Sequence, residues 1–283
     1  MSTLEARTDL QTEADSDIAR LGPWFHNLHL PDGTQTAPEH PLGDYPSYKW
    51  QLLAPALPAD LDGWTALDIG CNAGFYSFVL ARRGAQVTAI DSDERYLAQA
   101  RWAAAEYGLE DQIRWRQMQV YELAGSDRRY DLVLFLGVFY HLRYPLLGLD
   151  IVSQKVGRLL AFQTMTLPGD EVAEVPVDGH VLDRDPMLQP GWPRMAFIEK
   201  SWAGDPTNWW VPNRAAVEAV LRSSGLCVRA RPADEMYVCE PDPEHPSCVT
   251  TWDAAEFLAA TGRDSSGGQV KRHAGHHHAA ERT

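Results

Sequence analysis

The sequence predicts an α/β protein built around a doubly wound parallel sheet, and three observations support this prediction. Short apolar runs alternate along the chain with longer segments in which apolar residues recur three and four positions apart. The first of these runs leads directly into a glycine-rich turn, Asp68 to Gly74. The second run ends in an acid, Asp91. Such an alternation is typical of strands joined by crossover helices.

The first strand–helix–strand unit is predicted over residues 65–91. Residues 65–70 are apolar, few in number and followed by a turn, which predicts a short buried strand. Residues 75–84 repeat apolar side chains at helical spacing and finish with two arginines and Gly84, the typical end of an amphipathic helix. Residues 86–91 predict the second strand. In such units ligands bind at the carboxyl ends of the strands.

The same alternation continues to the end of the sheet. Strands are predicted at 113–119, 130–137 and 157–163, a helix at 213–224, and two closing strands at 227–232 and 235–240. Residues 165–212 are irregular, with seven prolines and four tryptophans. Long insertions of this kind are often lids or binding loops. We expect an aromatic-rich lid there and a folded N-terminal cap over residues 19–60.

These elements make up one domain, residues 19–262, between two polar termini. Residues 1–18 are acidic and polar, and are expected to be disordered. Residues 263–283 contain His273 and the run 276–278. A disordered tail is favoured over a metal site because no acid or cysteine accompanies these histidines at ligand spacing, and no metal is expected.

Charge and cysteine content favour a cytoplasmic enzyme that acts on a small-molecule substrate. No apolar run approaches the length of a membrane span, and the polar start does not resemble a signal peptide. Four scattered cysteines suit a reducing compartment. The net charge of −14 makes nucleic acid an unfavourable partner. A local basic groove from Lys49, Lys155, Arg82 and Arg83 stays open, as does the oligomeric state.

The turn at residues 68–74 has three possible occupants: a dinucleotide, another adenosyl ligand, or nothing beyond packing. Its glycine spacing differs from G-x-G-x-x-G, because Asn72 stands between Gly70 and Gly74. Asp68 would repel a pyrophosphate but would suit an ammonium or sulfonium. Asp91 stands where an acid can accept hydrogen bonds from both ribose hydroxyls. A ligand with adenosine at one end and a cationic amino acid at the other is S-adenosylmethionine.

Several motifs resemble those of class I S-adenosylmethionine-dependent methyltransferases. The stretch 68–74 resembles motif I, with Asn72 in place of the usual middle glycine; residues 89–92 resemble the acidic end of strand two, and residues 130–141 resemble strand four with its turn. A closer resemblance is to the tRNA wobble-uridine carboxymethyltransferase group and its relatives, through Gly22-Pro-Trp24, Tyr48-Lys-Trp50, Gly137-Val-Phe-Tyr-His141 and Trp210-Val-Pro212. It covers roughly residues 20–240 and implies a Rossmann-like methyltransferase sheet.

The cofactor residues expected from these motifs are Asp68, Gly70, Asn72, Gly74, Asp91, Ser92, Val120, Tyr121, Leu136 and Lys49. Gly70 and Gly74 are expected to let the backbone approach the ligand, and Asp68 to receive its ammonium. Val120 and Tyr121 are expected either to sandwich the adenine or to serve ordinary strand-end packing. Leu136 is expected beside the methionine portion.

Tyr140 and His141 are the candidate catalytic residues, since they follow strand four and face the departing methyl group. Methyl transfer depends mainly on alignment, and effective molarities of about 10⁵ M or more show how far positioning can go. A base is needed only for a weakly acidic hydroxyl or a protonated amine. His141 is either that base or a side chain that fixes the turn.

In the wobble-uridine group the resemblance implies carboxy-S-adenosylmethionine, held by a lysine, a tyrosine and an arginine. Tyr140 matches the tyrosine. Phe25-His26 stands where the lysine is expected, and Ala233-Asp234-Glu235 where the arginine is expected. An unpaired buried carboxylate costs several kcal/mol, so the plain cofactor is predicted.

Four functions therefore remain. A methyltransferase of a small natural-product or sugar-like acceptor is favoured over a tRNA-modifying enzyme. A non-catalytic cofactor-binding module is third, and an NAD-dependent oxidoreductase is fourth because of Asp68 and the broken glycine spacing. The acceptor atom is not predicted.

Overall fold

A computed structural model describes residues 14–245 and 254–263 of the chain. Its main feature is a seven-stranded sheet flanked by helices, which confirms the predicted fold class. The strands of this sheet are β1 Thr65–Ile69, β2 Gln86–Asp91, β3 Ile113–Gln117, β4 Tyr130–Leu136, β5 Val156–Gln163, β8 Leu226–Ala233 and β9 Met236–Pro241. Two further strands, β6 Met195–Phe197 and β7 Trp210–Pro212, form a separate antiparallel pair.

The strand order is β3-β2-β1-β4-β5-β9-β8, with β1 to β5 parallel and β9 antiparallel to β5. The chain leaves β1 toward β2 on one side and leaves β4 toward β5 on the other. A crevice therefore opens between the carboxyl ends of β1 and β4. Beyond β9, the outer strand β8 changes register twice, after Val228 and after Ala230.

Six helices have defined bounds: α1 Ser47–Leu53, α2 Phe75–Ala81, α3 Glu94–Tyr107, α4 Pro145–Ser153, α5 Arg214–Ser223 and α6 Ala254–Thr261. Helix α3 shows how the local sequence sets these bounds. The Asp93 carboxylate accepts a hydrogen bond from the Arg95 N–H and caps the start, and Gly108 ends the helix at a φ of 65°.

The core has two halves, one on each face of the sheet. On β4, Leu132 and Leu134 pack on the face covered by α2, whereas Val133 and Phe135 pack on the face covered by α4. This alternation follows from the period of two in a strand. Because both faces are covered, residues 132–136 of β4 are continuously apolar.

Two expectations about the ends of elements need correction. Residues 14–18, expected to be disordered, are helical as part of residues 14–21, and the Asp17 carboxylate accepts a hydrogen bond from the Trp102 indole at 3.1 Å. Strand β3 ends at Gln117 rather than residue 119, because the chain enters a 3₁₀ turn, Val120–Gly125. Residues 1–13 and 264–283, including the tail histidines, lie outside the described residues.

The expected cap and lid segments both have ordered contacts with the domain. In the N-terminal segment, residues 19–60, the Trp24 ring meets Trp102 of α3 edge to face at 5.7 Å. In the inserted segment, residues 165–212, the Leu167 N–H donates to the Pro212 carbonyl and so joins its two ends. Across the described part of the chain, no helix is both long and apolar enough to cross a membrane.

Candidate cofactor and acceptor site

Asp68 lies at the end of β1 with only 2% of its surface exposed. Its Oδ2 accepts a hydrogen bond of 2.7 Å from the Ser77 hydroxyl of α2. Burial raises the pKa of Asp68 to about 7 against the effect of this hydrogen bond, and the nearby Asp91 carboxylate raises it further. A cation beside this carboxyl group would offset the cost of burying its charge. The position is therefore suited to an ammonium group.

Asp91 ends β2 and holds the glycine-rich loop in place. Its Oδ2 accepts from the Asn72 N–H and its Oδ1 from the Asp93 N–H, both at 2.9 Å. Asn72 has a φ of 50°, a left-handed conformation that asparagine adopts more readily than most residues. This explains how an asparagine can replace the usual middle glycine. Each carboxylate oxygen has a further lone pair for a ligand hydroxyl.

The two glycines of the loop are required by packing inside the protein. A Cβ on Gly70 would come within 2.4 Å of the Val138 side chain. A Cβ on Gly74 would lie 2.8 Å from both Phe78 and Trp115. Both glycines also have positive φ angles, 69° and 89°. Their predicted role of admitting a ligand stays a prediction beside this structural requirement.

The residues expected around the adenine also make contacts within the protein. Val120 is 5% exposed and packs in the core on the α4 face. The Tyr121 hydroxyl accepts a hydrogen bond of 3.2 Å from the Tyr144 N–H. The Ser92 carbonyl accepts one from the Gln117 amide. Leu136 is half-buried at the end of β4. Their contacts with a cofactor remain predictions.

Tyr140 lies in a 3₁₀ turn, Phe139–His141, that follows β4. Its hydroxyl is 3.7 Å from the position that a Cβ on Gly137 would take. Burial raises the pKa of Tyr140 to about 12, and the carboxylates of Glu235 and Asp205 add to this effect. Tyr140 is therefore a neutral phenol that can donate a hydrogen bond at the mouth of the crevice.

Glu235 faces the same region from the turn between β8 and β9. Its carboxylate accepts hydrogen bonds from the Gln163 amide at 3.1 Å and the Thr166 N–H at 3.2 Å. Burial lowers the pKa of Lys49, and the attraction of Glu235 opposes this shift. Asp234, by contrast, is 87% exposed and pairs with Arg231. Of the two acids expected to face a carboxylated cofactor, Glu235 lies close to Tyr140.

Sequence reasoning missed an aromatic cluster that joins the N-terminal segment to this site. The His26 ring lies 5.8 Å from the Tyr45 ring and 6.2 Å from the Tyr76 ring of α2. It is 4% exposed, and burial lowers its pKa to about 3, so His26 is neutral. The separations of residues 26, 45 and 76 follow no motif. Only the run of aromatic residues near each position could have indicated a shared core.

His141 contacts the inserted segment, which sequence reasoning also missed. Its Nδ1 lies 2.9 Å from the Thr207 hydroxyl oxygen and 3.7 Å from an Asp205 carboxylate oxygen. Burial lowers the pKa of His141, whereas Asp205 acts in the opposite direction. The Trp209 N–H donates to the Tyr140 carbonyl at 2.9 Å. The turn after β4 and residues 205–209 therefore form one connected unit.

Of the four basic residues considered for a groove, one is buried and the other three contact aromatic rings. Lys155 is 3% exposed at the start of β5, where its ammonium contacts the Ser126 carbonyl. Arg82 stacks on the Tyr107 ring and Arg83 on the Trp50 ring. Lys49 lies beside Tyr45, near the carboxyl ends of the strands. Each of these cations therefore already has a contact within the protein.

The donor set fits S-adenosylmethionine and offers no comparable fit to a metal. Asp68 would hold the ammonium of the methionine portion, and Asp91 would accept hydrogen bonds from the ribose hydroxyls. Among the residues that the structure describes, no group of three or more histidine, cysteine or acidic side chains is arranged to hold a metal ion.

Comparisons with known proteins indicate which kind of domain the chain contains. A family model described as a methyltransferase domain matches residues 66–160, the stretch from β1 into β5. The chain is 33% identical over 183 residues to the tRNA U34 carboxymethyltransferase of Pseudomonas putida (strain W619), covering 63% of this chain and 50% of that protein. It is 35% identical over 128 residues to the ubiquinone biosynthesis O-methyltransferase of Alkalilimnicola ehrlichii, covering 44% of this chain and 51% of that protein.

The same named activity recurs in Ectopseudomonas mendocina (strain ymp), whose tRNA U34 carboxymethyltransferase is 32% identical over 205 residues and covers 68% of this chain. The chain spans between 50% and 62% of the length of the first curated relatives it matches.

Among solved structures, the N-terminal domain of EvdMO1, crystallised in the presence of SAH and D-fucose, matches with a TM-score of 0.56. Identity is 20%, and the match covers 82% of this chain and 96% of that chain. At this identity the likeness shows the fold alone.

Proposed function

The chain carries a class I S-adenosylmethionine-dependent methyltransferase domain, as its sequence motifs predicted, and from this premise we propose that it methylates a small-molecule acceptor. The observation that carries the proposal is the pair of buried carboxylates, Asp68 and Asp91, at the ends of adjacent strands. One faces a position suited to an ammonium and the other a position suited to hydroxyls. A ligand with an amino acid at one end and a ribose at the other could contact both carboxylates.

In this proposal the chain's own residues mainly bind and orient. Bound S-adenosylmethionine supplies an activated methyl group on a sulfonium. Asp68 and Asp91 hold the two ends of the cofactor, and Tyr140 borders the place where the acceptor enters. Such alignment supplies most of what the transfer needs. His141 stands beside Tyr140 as the candidate base for acceptors that carry a proton.

Glu235 supports the plain cofactor over the carboxylated one. Like charges repel, and at the partly exposed Glu235 this repulsion is on the order of 1 kcal/mol. The Glu235 carboxylate raises the pKa of the neighbouring Tyr140, so a negative charge at Tyr140 is disfavoured. A carboxylate placed on Tyr140 would meet the same repulsion, and Lys49 offsets it only in part.

Charge also supports a small acceptor rather than tRNA. The chain carries a net charge of −14, which slows the approach of another polyanion. A protein that binds nucleic acid must neutralise several phosphates. Of the four cations considered for a groove, Lys155 is buried, and Lys49, Arg82 and Arg83 each contact an aromatic ring. The fold likeness to a domain crystallised with D-fucose is compatible with a sugar-like acceptor.

Binding calorimetry tests the cofactor assignment directly. We expect the protein to bind S-adenosylmethionine and S-adenosylhomocysteine. NAD is the matched alternative, because it also carries adenosine and would also use Asp91. Binding of NAD without S-adenosylhomocysteine would overturn the proposal.

Two further assays separate the acceptor classes. Competition between plain and carboxylated S-adenosylmethionine should favour the plain cofactor. A mobility-shift assay with bulk tRNA at low salt should show no micromolar binding. Tighter carboxylated-cofactor binding, or tRNA binding that weakens steeply with added salt, would favour the tRNA-modifying alternative, the activity named for several relatives.

Mass spectrometry of compounds that co-purify with the protein tests for catalysis. A methylated small molecule found with the protein supports a methyltransferase. Cofactor binding that persists, with no methylated product from any acceptor offered, would favour a cofactor-binding module.

A further inference from the structure

The structure assigns a role to two residues of the inserted segment: we propose that Asp205 and Thr207 are positioning residues that hold His141 in one tautomer. In that tautomer Nδ1 carries the proton and Nε2 accepts one from the acceptor. The inference rests on the proposed function for its purpose. The tautomer itself can be measured without any acceptor.

Three side chains form a continuous chain of contacts. The Thr207 hydroxyl lies 2.6 Å from Asp205 Oδ1, and the Thr207 N–H donates to the same oxygen at 2.7 Å. His141 Nδ1 lies 2.9 Å from the Thr207 hydroxyl oxygen. The second Asp205 oxygen is 3.7 Å from His141 Nδ1. The threonine hydroxyl therefore stands between a carboxylate and an imidazole.

The direction of the Thr207 hydroxyl proton determines which nitrogen of His141 is protonated. An ionised carboxylate only accepts hydrogen bonds, and a hydroxyl group has a single proton to donate. Because the Thr207 proton points to Asp205, the Thr207 oxygen can only accept from His141. Nδ1 must be the donor in that contact. In a neutral imidazole one nitrogen donates and the other accepts, so Nε2 is the acceptor.

The ionisation states of Asp205 and His141 agree with this assignment of the tautomer. Burial alone would raise the pKa of Asp205, yet the hydrogen bonds from Thr207 hold it below its usual value, so the carboxylate is charged near neutrality. Burial lowers the pKa of His141, so its ring is neutral there. The other titratable neighbour is Tyr140, whose ring centroid lies 4.3 Å from that of His141 and whose phenol is also neutral.

A backbone hydrogen bond and a ring contact hold the inserted segment against the turn that follows β4. The Trp209 N–H donates to the Tyr140 carbonyl, one residue before His141. The Arg143 guanidinium covers the Trp209 ring at 4.8 Å. The inserted segment is thus attached to the turn at two points beside the histidine, and Thr207 is held opposite Nδ1.

This arrangement suits a base that takes up a proton during transfer. As the acceptor forms its new bond to the methyl carbon, its proton passes to Nε2, and the bond from the methyl carbon to sulfur breaks to leave a neutral thioether. The imidazolium that results lies beside the Asp205 carboxylate, which stabilises it. Acceptors with a hydroxyl or a protonated amine are the class that needs such a group.

Nitrogen-15 NMR of the histidine rings tests the proposal in the full-length protein at pH 8. His141→Gln identifies the His141 signals by their loss. In the wild type we expect Nδ1 protonated and Nε2 with the chemical shift of an unprotonated nitrogen. The opposite tautomer in the wild type would overturn the proposal by itself.

Two substitutions at one position provide the control. Thr207→Val keeps the shape of the side chain but removes the hydroxyl, and should shift the neutral ring toward the Nε2-protonated form. Thr207→Ser keeps the hydroxyl and should retain the wild-type tautomer. An unchanged tautomer in the double variant Asp205→Ala/Thr207→Val, which removes both acceptors near Nδ1, would contradict the proposal. Failure of cofactor binding would instead contradict the proposed function, because the tautomer does not depend on it.

Discussion

The cofactor half and the acceptor half of the site are built in different ways. The two carboxylates of the proposed cofactor half lie within one stretch, residues 68–93, where backbone N–H groups of Asn72 and Asp93 donate to the Asp91 carboxylate. The acceptor half combines side chains from the N-terminal segment, the turn after β4, the inserted segment and the β8–β9 turn. Its contacts are mostly between side chains. The two halves therefore differ in how far apart in the sequence their contacting residues lie.

The largest effect is expected for Asp91→Ala. The substitution removes the proposed acceptor for two ribose hydroxyls and the anchor of the loop. Hydrogen bonds to charged groups contribute about 1.5–3 kcal/mol each, so S-adenosylhomocysteine binding should weaken at least ~100-fold by calorimetry. Asp93→Asn is the matched control, since it removes a neighbouring charge but keeps the helix cap, and it should stay within about twofold. Equal losses of affinity in both variants would show that binding depends on the local negative charge and not on a contact between Asp91 and the ribose.

Asp68→Asn should have the next largest effect. Loss of one charge-assisted contact to the ammonium is expected to weaken S-adenosylmethionine binding roughly 10- to 150-fold. In the absence of ligand, the same substitution should stabilise the folded protein. The folded protein raises the pKa of Asp68 to about 7, so its contribution to the free energy of unfolding falls as the pH rises from about 4 to 7. A neutral asparagine should therefore raise Tm at pH 8. A variant that loses stability and affinity together would indicate a structural role only.

The pH dependence of binding provides a second test of the contact between Asp68 and the ammonium group. With a pKa near 7, the Asp68 carboxyl group must lose a proton before it can pair with an ammonium. Affinity for S-adenosylhomocysteine should rise about tenfold between pH 6 and pH 8 and then level off. The Asp68→Asn variant should show no such rise. A flat profile in the wild type would remove Asp68 from the ammonium contact.

The smallest effect is expected on the acceptor side, from Glu235→Gln. Removing a partly exposed charge should improve binding of carboxylated S-adenosylmethionine by roughly fivefold, about 1 kcal/mol. Binding of the plain cofactor should change less than about twofold. Asp234→Asn offers a control at the adjacent, exposed position. Equal gains in both variants would point to long-range charge and not to a contact in the crevice.

The sequence was sufficient to predict the parts of the fold that local patterns determine. Strand β2 has the predicted bounds; β1, β4 and β5 differ by one residue at one end, and α5 differs by one residue at each end. Gly108 and Asn213 mark helix ends by known backbone and capping preferences. Strand β3 was predicted too long because Met118 and Gln119 continue the chain without a turn residue. There the 3₁₀ turn begins from a capping box that only the fold makes evident.

The acceptor half could not be predicted in this way. Contacts such as His141 with Thr207 join residues 66 positions apart, and Glu235 meets Gln163 across 72 positions. No spacing rule connects them, because tertiary packing decides which turns meet. His141 was identified as either a base or a turn-fixing residue, and the structure adds the partner that either role would use. The cofactor role of the individual loop residues stays a prediction.

The irregular outer strand has a consequence for the behaviour of the protein in concentrated solution. Open sheet edges present backbone groups that can pair with another molecule and begin aggregation. One edge of this sheet, β3, carries exposed Arg114 and Arg116, and the other, β8, carries Arg229 and two register shifts. Charged side chains and bulges both oppose edge-to-edge pairing. Both edges of this wide mixed sheet therefore carry features that oppose the pairing of one molecule with another.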